Sequence, residues 1–377
     1  MVTVREVEDN DIIPLAESLP KWGNHFSGTT KEIWLQRFEI WWNLNPAFSS
    51  DIPRGWILEN ERRIVGFIGN VPVKFLIRGE ERIAVAAVDW FVESSIRGIF
   101  SIKLFNEYMN QKSAYLFLFN TLDEKIIGIL NKYKFKKYCL PLIQTEYFYI
   151  LKREKVTFIS IMFLNIGKIH DLYELLRFFT RLRMLICSYI YQKPVIQFDD
   201  LPGNKYRSSV CTYCDDSFSR IWKSYQDTCD ITMSRDIKTL NWLYFSSVTP
   251  NKRVVIQCRR LRDDSLAGYM VFDLTWNKKS KVGKMQLKDI CIENNDTLVL
   301  SSLLSYAIEF GKQNNATLMV VWSDSKDEDA YLRSTLRMRK DVQYHRFIKV
   351  SDDLMVDSES LNICASLIAP PHGIIHI

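Results

Sequence analysis

The sequence predicts a mixed α/β protein built from two tandem copies of one unit, each a mixed, mostly antiparallel twisted sheet flanked by helices. The order of strand and helix patterns in residues 1–150 recurs from about residue 210 onward. Two segments also match in register, because Ile64–Ile68 (IVGFI) resembles Leu266–Met270 (LAGYM), and Asp89–Glu93 resembles Asp289–Glu293. Two matches inside the same element order indicate an internal duplication, and 377 residues suffice for two separate cores.

The first copy begins with a strand and two helices. Val2–Val7 alternates like a strand, and a helix opens near Asn10 with Pro14 in its first turn. After a loop at Lys21–Thr29, Thr30 can cap a second helix that ends before Pro46. Its large side chains recur at helical spacing: Ile33, Trp34, Arg37, Phe38, Trp41 and Trp42.

Alternating and β-branched residues then predict a β-meander. Its strands are Gly55–Glu59, Arg63–Gly69, Val71–Ile77 and Arg82–Val92. The remaining elements of the first copy alternate as helix, strand, helix and strand: Ile99–Gln111, Ala114–Phe119, Asp123–Tyr133 and Glu146–Leu151.

The second copy repeats this order. The predicted helices are Ser217–Tyr225, Ser234–Phe245, Asp296–Gln313 and Asp327–Leu336, and the predicted strands are Arg253–Arg259, Ala267–Asp273, Lys284–Ile292, Thr317–Trp322 and Tyr344–Val350. We therefore expect an N-terminal domain over residues 1–153, a helical connector and linker over 154–205, a second domain over 206–352 and a C-terminal tail over 353–377.

Composition and charge exclude several classes of protein. The net charge of +6 is spread along the chain without a basic stripe, so no nucleic-acid partner is expected. No stretch approaches roughly 18 uninterrupted apolar residues, so no stable membrane insertion is expected. The nearest candidate, Val156–Tyr191, is broken by charges, which predicts an amphipathic helix that packs against another domain and leaves a membrane-surface contact open.

The cysteines and the N-terminus favour a cytoplasmic protein without a metal. The single motif Cys211-x-x-Cys214 has no second pair to complete a zinc site. Acidic residues occupy the N-terminal segment where a signal peptide needs an apolar core. Reduced thiols are then the default, and the sequence leaves a homo-oligomer open.

The segment from Val92 to Ser101 is the strongest candidate for a ligand site. A strand ends at Val92, a turn follows, and a helix begins at about Ile99. The free N–H groups of a helix start attract a diphosphate. Gly98 lets the backbone approach a ligand closely and Arg97 adds a positive charge.

Several motifs together resemble the GNAT acyltransferase family. They are an N-terminal VREVEDNDIIPL, a meander with RIVGFIG, the strand–turn–RG–helix segment, a strand ending in FNT, and LNKYKF over Leu130–Phe135. The resemblance implies acyl-CoA as co-substrate, held by Phe91, Val92, Arg97, Gly98, Ile99, Phe100, Ser101 and Asn120. In that family the pantetheine lies between the fourth and fifth strands, and a backbone N–H near Val92 would bind the thioester oxygen.

The chain departs from the family at three places. Phe100 stands where the family loop has its second small residue, and Leu130 aligns with the tyrosine that many members use as general acid, with Tyr133 one turn further on. The second copy has Glu293–Thr297 at the loop, without glycine and with added acidic charge, so we expect CoA binding in the first copy alone.

Two residues are candidates for the general base. Asp89 is a carboxylate on the strand before the loop, although Asp289 holds the same place in the second copy and favours a role in the fold. His25 lies in the loop where such proteins contact the acceptor, and a histidine titrates near neutral pH.

The resemblance extends to sugar N-acyltransferases of bacterial surface-polysaccharide synthesis. It implies a nucleotide-linked (dTDP- or UDP-) amino sugar as acceptor, with Trp22 and Trp90 as candidate substrate contacts. Two alternatives stay open: a FemX-like aminoacyl transferase and a non-catalytic scaffold with the same fold.

Overall fold

The computed structural model describes residues 2–22, 29–120, 124–134, 136–138, 144–152, 205–226, 231–246, 252–277, 282–323, 326–336, 338–342 and 346–350. The chain divides into two compact units. Unit 1 comprises residues 1–140, 226–249 and 344–377, and unit 2 comprises residues 141–225 and 250–343. The predicted connector helix and C-terminal tail lie outside the described residues.

The sheet of unit 1 is mixed. Its strands are β1 (Val2–Glu6), β2 (Gly55–Asn60), β3 (Arg63–Ile77), β4 (Glu80–Val92), β5 (Leu116–Asn120), β6 (Lys136–Tyr138), β9 (Ile231–Met233) and β15 (Arg346–Val350). They follow the order β1-β2-β3-β4-β5-β15-β6, and β9 pairs with β3. Among these strands β4 and β5 pair in parallel, and the other pairs are antiparallel.

Helices cover both faces of this sheet. They are α1 (Ile12–Ser18), α2 (Lys31–Phe38, continued by a π-helical turn Glu39–Asn43), α3 (Ile99–Met109), α4 (Glu124–Lys132) and α6 (Ile237–Phe245). The predicted aromatic stripe of α2 is buried, and Phe38 packs edge-on against Phe67 of β3. Leu104, Phe105 and Tyr108 of α3 are fully buried in the core that also contains Val85 and Val92 of β4.

The sheet of unit 2 has the order β14-β7-β13-β12-β11-β10-β8. Its strands are β7 (Gln144–Ile150), β8 (Tyr206–Cys211), β10 (Lys252–Arg260), β11 (Leu266–Asn277), β12 (Val282–Ile292), β13 (Leu318–Val321) and β14 (Met338–Val342). The helices of this unit are α5 (Asp216–Gln226), α7 (Thr297–Gln313) and α8 (Lys326–Thr335). The β12–β13 pair is parallel, like β4–β5 in unit 1.

The contiguous domains expected from the sequence differ from these compact units. Strand β7, which ends the first copy in sequence, pairs with β13 and β14 in unit 2. Strand β15, which ends the second copy, pairs with β5 and β6 in unit 1. Helix α6 also belongs to unit 1, where the Trp242 indole N–H donates to the Ile40 carbonyl at 2.7 Å.

Strand pairing shows the duplication residue by residue. Gly66 pairs with Val92 in unit 1, and Gly268 pairs with Ile292 in unit 2. The parallel pairs also correspond, since Ala84 pairs with Leu116 and Lys284 pairs with Leu318. The predicted fold class, with two mixed and mostly antiparallel sheets flanked by helices, is confirmed.

One strand is longer than expected. The sequence predicts a break between Gly69 and Val71, but β3 runs without interruption through Pro72. The Pro72 carbonyl accepts a hydrogen bond from Asn45 Nδ2 at 2.8 Å, so this residue presents its carbonyl on the side away from β4. The β3–β4 ladder therefore loses no hydrogen bond through the missing N–H of Pro72.

Helices long and apolar enough to cross a membrane are not found among the described residues. The segment Val156–Tyr191, for which an amphipathic helix was expected, lies outside them.

Candidate functional site

The pairing between the parallel strands β4 and β5 ends half-way along β4. They pair at Ala84–Leu116, Val85–Phe117 and Ala86–Leu118. The opposite edge of β5 pairs with β15 along its whole length, while β4 continues to Val92 along β3. On the side of β5, β4 therefore has no strand partner from residue 87 to residue 92 among the described residues, which leaves a gap between the two strands. The Tyr108 hydroxyl of α3 marks the start of this gap, where it donates to the Val85 carbonyl at 3.0 Å and is hydrogen-bonded by the Ala87 backbone. Strand edges of this kind bind extended ligands through their backbone groups.

Backbone geometry directs Val92 toward this gap. The N–H of Glu93 donates to the Val65 carbonyl at 2.9 Å. Hydrogen-bonded and non-hydrogen-bonded pairs alternate in an antiparallel ladder, so the preceding pair, Gly66–Val92, is of the non-hydrogen-bonded kind. The N–H and C=O of Val92 consequently point away from β3, which is where an N–H donor for a thioester oxygen was expected.

Arg97 folds back over the end of β4. Its Nε donates to the Val92 carbonyl at 3.1 Å, and its guanidinium carbon lies 5.8 Å from the Phe91 ring centroid. The side chain thus closes the turn after β4 and places a fixed positive charge beside the start of α3.

Helix α3 begins without a side-chain cap. Gly98 occupies the cap position with φ +96° and ψ −108°, a conformation that favours glycine. The first bond of the helix runs from the Ile102 N–H to the Gly98 carbonyl at 3.2 Å, so the N–H groups of Ile99, Phe100 and Ser101 have no partner within the helix. Ile99 is 68% exposed, which leaves this end open to solvent.

Phe100 does not fill this helix start. Its ring is half-buried and packs against the core of unit 1, with the Lys103 ammonium nitrogen 5.3 Å from its centroid. The departure from the family loop is therefore accommodated on the core side of α3.

Aromatic side chains line β4 and β5 on the side of α3. Trp90 stacks on Phe105 with centroids 4.7 Å apart and meets Phe119 edge-on at 6.1 Å. The edge of Tyr133 packs on Phe105 at 5.0 Å, and its hydroxyl donates to Asn106 Oδ1. Burial raises the pKa of Tyr133, so this hydroxyl keeps its proton at neutral pH, while Leu130, which aligns with the family tyrosine, is fully buried in the core.

Asp89 lies at a β-bulge in β4. The pairing with β3 shifts between Phe67 and Gly69, so that one residue of β3 faces both Asp89 and Trp90. Asp89 has φ +50°, which a short polar side chain tolerates. Burial raises its pKa to about 7, against the effect of the nearby Arg37 guanidinium. Its Oδ2 is buried and has no hydrogen-bond partner among the described residues.

Arg37 of α2 is the charged neighbour of Asp89. It is 4% exposed, and its guanidinium carbon lies 4.3 Å from the Trp34 ring centroid. Burial lowers the pKa of Arg37, and Asp89 acts in the opposite direction. Its Nε is also buried without a hydrogen-bond partner in the described part of the chain. An orphaned donor and an orphaned acceptor near each other would both be satisfied by a bound polar group.

The other predicted residues fall in different surroundings. Trp22 is 8% exposed and stacks on Phe91 with centroids 4.9 Å apart. Asn120 ends β5, where its backbone pairs with Arg346, and its side chain lies outside the description. His25 also lies outside the described residues.

The equivalent gap in unit 2 is bridged. The β12–β13 pairing ends at Gln286–Val320, and the Trp322 indole N–H donates to the Leu287 carbonyl at 3.0 Å. By strand register, Leu287 corresponds to Ala87 and Trp322 to Asn120. The indole therefore bridges in unit 2 the two strands whose counterparts in unit 1 are not paired beyond Ala86–Leu118 among the described residues.

The helix start in unit 2 carries its own anion. Asp296 caps α7, where its Oδ1 accepts from the Leu298 N–H at 2.8 Å and its Oδ2 accepts from the Tyr206 hydroxyl at 2.7 Å. Glu293 forms an ion pair with Arg260. A second anion at this helix end would meet like charge, in agreement with the acidic loop noted in the sequence.

The two aspartates of the shared strand differ in their partners. Asp289 Oδ1 accepts from the Ile290 N–H at 2.9 Å, and its Oδ2 lies 3.5 Å from the Tyr269 hydroxyl. Phe67 corresponds to Tyr269 in unit 1 and offers no hydroxyl to Asp89. The carboxylate is thus hydrogen-bonded in unit 2, whereas in unit 1 its Oδ2 has no partner in the described part of the chain.

The sequence analysis did not single out Arg37 as a neighbour of Asp89, or Trp322 as the residue that bridges β12 and β13. The available signal for Arg37 was a charged residue inside the apolar stripe of α2. The signal for Trp322 was a tryptophan at the position equivalent to Asn120. Groups of three or more His, Cys, Asp or Glu that could hold a metal are not found among the described residues.

Solved structures with a similar fold include three acyltransferase-type proteins. A conserved Enterococcus faecalis protein of unknown function, a probable N-acyltransferase, matches with a TM-score of 0.57 and 9% identity over 93% of this chain and 73% of that chain. A GCN5-related N-acetyltransferase from Anabaena variabilis gives the same TM-score, identity and coverage. Saccharomyces cerevisiae N-myristoyltransferase with bound myristoyl-CoA matches with a TM-score of 0.53 and 11% identity over 92% of this chain and 78% of that chain.

Comparison with protein-family models and with curated protein sequences gives no match. At these identities the similarity shows a shared fold, the one expected from the sequence motifs.

Proposed function

We propose that this protein is an N-acyltransferase that takes an acyl group from acyl-CoA and passes it to an amine. The observation that carries the proposal is the gap between β4 and β5, which ends at the uncapped start of α3 in unit 1 and is bridged by Trp322 in unit 2. The similar folds belong to acetyl- and myristoyltransferases, which supports the same chemistry.

The residues of unit 1 suit an acyl-CoA. The N–H groups of Ile99–Ser101 and the charge of Arg97 would hold the diphosphate. The free edge of β4 would bind the pantetheine amides, and the Val92 N–H would donate to the thioester oxygen as negative charge develops there.

Asp89 is the proposed general base. The amine nitrogen attacks the thioester carbon, the C–S bond breaks as the C–N bond forms, and the amine proton passes to the Asp89 carboxylate, directly or through water. The departing thiolate takes up a proton. A pKa of about 7 matches this role, because the carboxylate is then both present and basic at neutral pH.

We further propose a nucleotide-linked amino sugar as acceptor, in line with the sequence resemblance. The net charge of +6 suits an acceptor that carries a diphosphate. Trp22 and Trp90 are engaged with Phe91 and Phe105, so stacking of these indoles on a base or sugar requires them to leave those contacts.

Release of free thiol from acetyl-CoA, followed with a panel of acceptors, tests the proposal. dTDP- and UDP-amino sugars should support turnover, and Asp89→Asn should slow it by about 10²- to 10⁴-fold while acetyl-CoA still binds. Turnover of aminoacyl-tRNA with a peptidoglycan precursor would favour the FemX-like alternative. Absence of acyl-CoA binding by calorimetry would refute the acyltransferase and leave the scaffold.

A further inference from the structure

The two faces of strand β12 in unit 2 differ in polarity. Met285 and Leu287 of β12 are buried in the core that includes Val299, Leu300 and Leu303 of α7. Side chains alternate along a strand, so Lys284, Gln286 and Lys288 project from the opposite face. Each of the three is partly buried.

The shared fold does not require polar residues here. By register, the three positions correspond to Ala84, Ala86 and Val88 in β4, which are buried and apolar. Three apolar side chains of one copy are thus three hydrogen-bond donors in the other. Half-buried polar side chains at positions that are apolar in the other copy point to a function specific to unit 2.

Asp273, an acidic residue on this face, already forms an ion pair with Arg253. Arg253 donates from Nε to Asp273 Oδ1 at 2.7 Å and from Nη2 to Oδ2 at 3.0 Å, with the two side chains 4% and 8% exposed. Asp273 is paired across the sheet with Gln286. The Lys288 ammonium lies 3.9 Å from Asp273 Oδ2, which is beyond hydrogen-bond distance.

Apart from the long ion pair between Lys288 and Asp273, the three side chains have no hydrogen-bonding partner among the described residues. Hydrogen bonds from the side chains of Lys284, Gln286 or Lys288 are not found within the described residues. Burial lowers the pKa of both lysines; Glu146 opposes the shift at Lys284, and Asp273 and Glu146 oppose it at Lys288, where Arg253 and Lys284 add to it. With Arg253, Asp273 and Glu146 counted, the cluster carries one excess positive charge.

We propose that Lys284, Gln286 and Lys288 form a binding site for a phosphate group. The three residues are spaced two apart on β12, at about 7 Å per step, so two long lysine side chains can converge above the shorter Gln286. Ammonium groups bind phosphate as point charges, and the Gln286 amide supplies a further N–H donor. This site lies in unit 2 and is independent of the proposed acyl transfer.

Calorimetry of the full-length protein with pyrophosphate tests the site. Wild type should bind it, and Lys284→Met/Lys288→Met should lose one binding site or at least about tenfold in affinity for each charged hydrogen bond removed. Lys223→Met, which removes an exposed lysine of α5, is the matched control and should bind like wild type. Arg97→Met separates any binding at the start of α3 from binding in unit 2.

Protonation gives a second measurement. A bound anion favours the charged form of each lysine, so binding should oppose the lowering of both pKa values by burial, seen as a dependence of the heat on buffer ionisation enthalpy. Lys284→Arg/Lys288→Arg keeps both positive charges and should retain pyrophosphate binding. This variant tests the site even if the double methionine variant does not fold. Unchanged pyrophosphate binding in the methionine variant, or acetate binding as tight as that of pyrophosphate, would overturn the proposal.

Discussion

Arg37 and Asp89 stabilise each other's charged form across the buried space between α2 and β4. The guanidinium opposes the rise in the pKa of Asp89, and the carboxylate opposes the fall in the pKa of Arg37. Neither the Nε of Arg37 nor the Oδ2 of Asp89 has a hydrogen bond within the described residues. Burial outweighs the attraction and raises the pKa of Asp89 to about 7, which suits the proposed role as general base.

The acyl-transfer rate should follow the ionisation of Asp89. The base is the carboxylate, so kcat/KM should rise through pH 7 and level off above it, and should fall about tenfold per unit at lower pH. Asp89→Asn should lower kcat by about 10²- to 10⁴-fold with little change in acyl-CoA affinity. Steady-state kinetics from pH 5.5 to pH 9 measure both effects. Full activity of the asparagine variant would remove Asp89 from the mechanism.

Asp89 should also make the folded protein less stable as the pH rises. Its pKa is higher in the folded state than the ordinary value of 3.8, so the native state binds more protons between about pH 4 and pH 7. The free energy of unfolding should therefore fall over this window, by up to about 4 kcal/mol at 1.36 kcal/mol per pKa unit. Urea unfolding at pH 5 and pH 8 measures the difference.

Asp89→Asn should remove this contribution and stabilise the protein at pH 8. Asp289→Asn is the matched control, since it alters the equivalent residue of unit 2 and leaves Asp89 in place. If the free energy of unfolding depended on pH equally in wild type and in Asp89→Asn, the raised pKa of the Asp89 carboxyl would be contradicted.

Loss of the Arg37 charge should shift the pH–rate profile. Arg37 lowers the pKa of Asp89, so Arg37→Met should move the midpoint to higher pH than in wild type. The same kinetic series reports the shift. Arg54→Met removes an arginine that pairs with Asp9 at 2.7 Å, and it should leave the midpoint unchanged. A midpoint that stays fixed in Arg37→Met would mean that the rate reports another group.

The order of elements, the duplication and the turn at Arg97–Gly98 could be predicted because they rest on local patterns. Side-chain alternation identifies a strand and its register from a few neighbouring residues, and the two matched segments lie on paired strands as expected. Gly98 was recognisable because a glycine between a strand and a helix lets the backbone approach a ligand closely, and the structure adds that its φ is +96°.

The exchange of β7 and β15 could not be predicted in this way. Both strands have the composition of buried strands, but a pattern along one strand does not specify which sheet edge it joins. The Asp89–Arg37 pair was missed for a similar reason. Arg37 follows the helical spacing of its aromatic neighbours, and its position relative to β4 depends on how α2 packs.

A pair of glycine substitutions should separate the helix start from general effects on stability. Gly98→Ala places a side chain at φ +96° with open space around it, so the cost is backbone strain of about 1–3 kcal/mol. The same change should raise KM for acyl-CoA, since the N–H groups of α3 shift. Gly128→Ala lies within α4, also with open space, and should stabilise by about 0.5–1 kcal/mol without altering KM. Thermal unfolding measures the stability of both variants, and initial rates measure their KM for acyl-CoA. A KM of Gly98→Ala equal to that of wild type would argue against phosphate binding at α3.

The way in which Trp322 bridges β12 and β13 in unit 2 suggests a substitution that would close the gap between β4 and β5 in unit 1. Trp322 spans from the end of β13 to the Leu287 carbonyl, and the corresponding positions in unit 1 are Asn120 and Ala87. Asn120→Trp should place an indole N–H against the Ala87 carbonyl, where the pantetheine is proposed to bind. Acyl-CoA affinity should fall at least about tenfold, the equivalent of one lost hydrogen bond, while the fold is retained. Asn120→Gln, which keeps an amide of similar polarity, is the control and should bind nearly as wild type does. Undiminished acyl-CoA binding by Asn120→Trp in calorimetry would place the ligand outside the gap between β4 and β5.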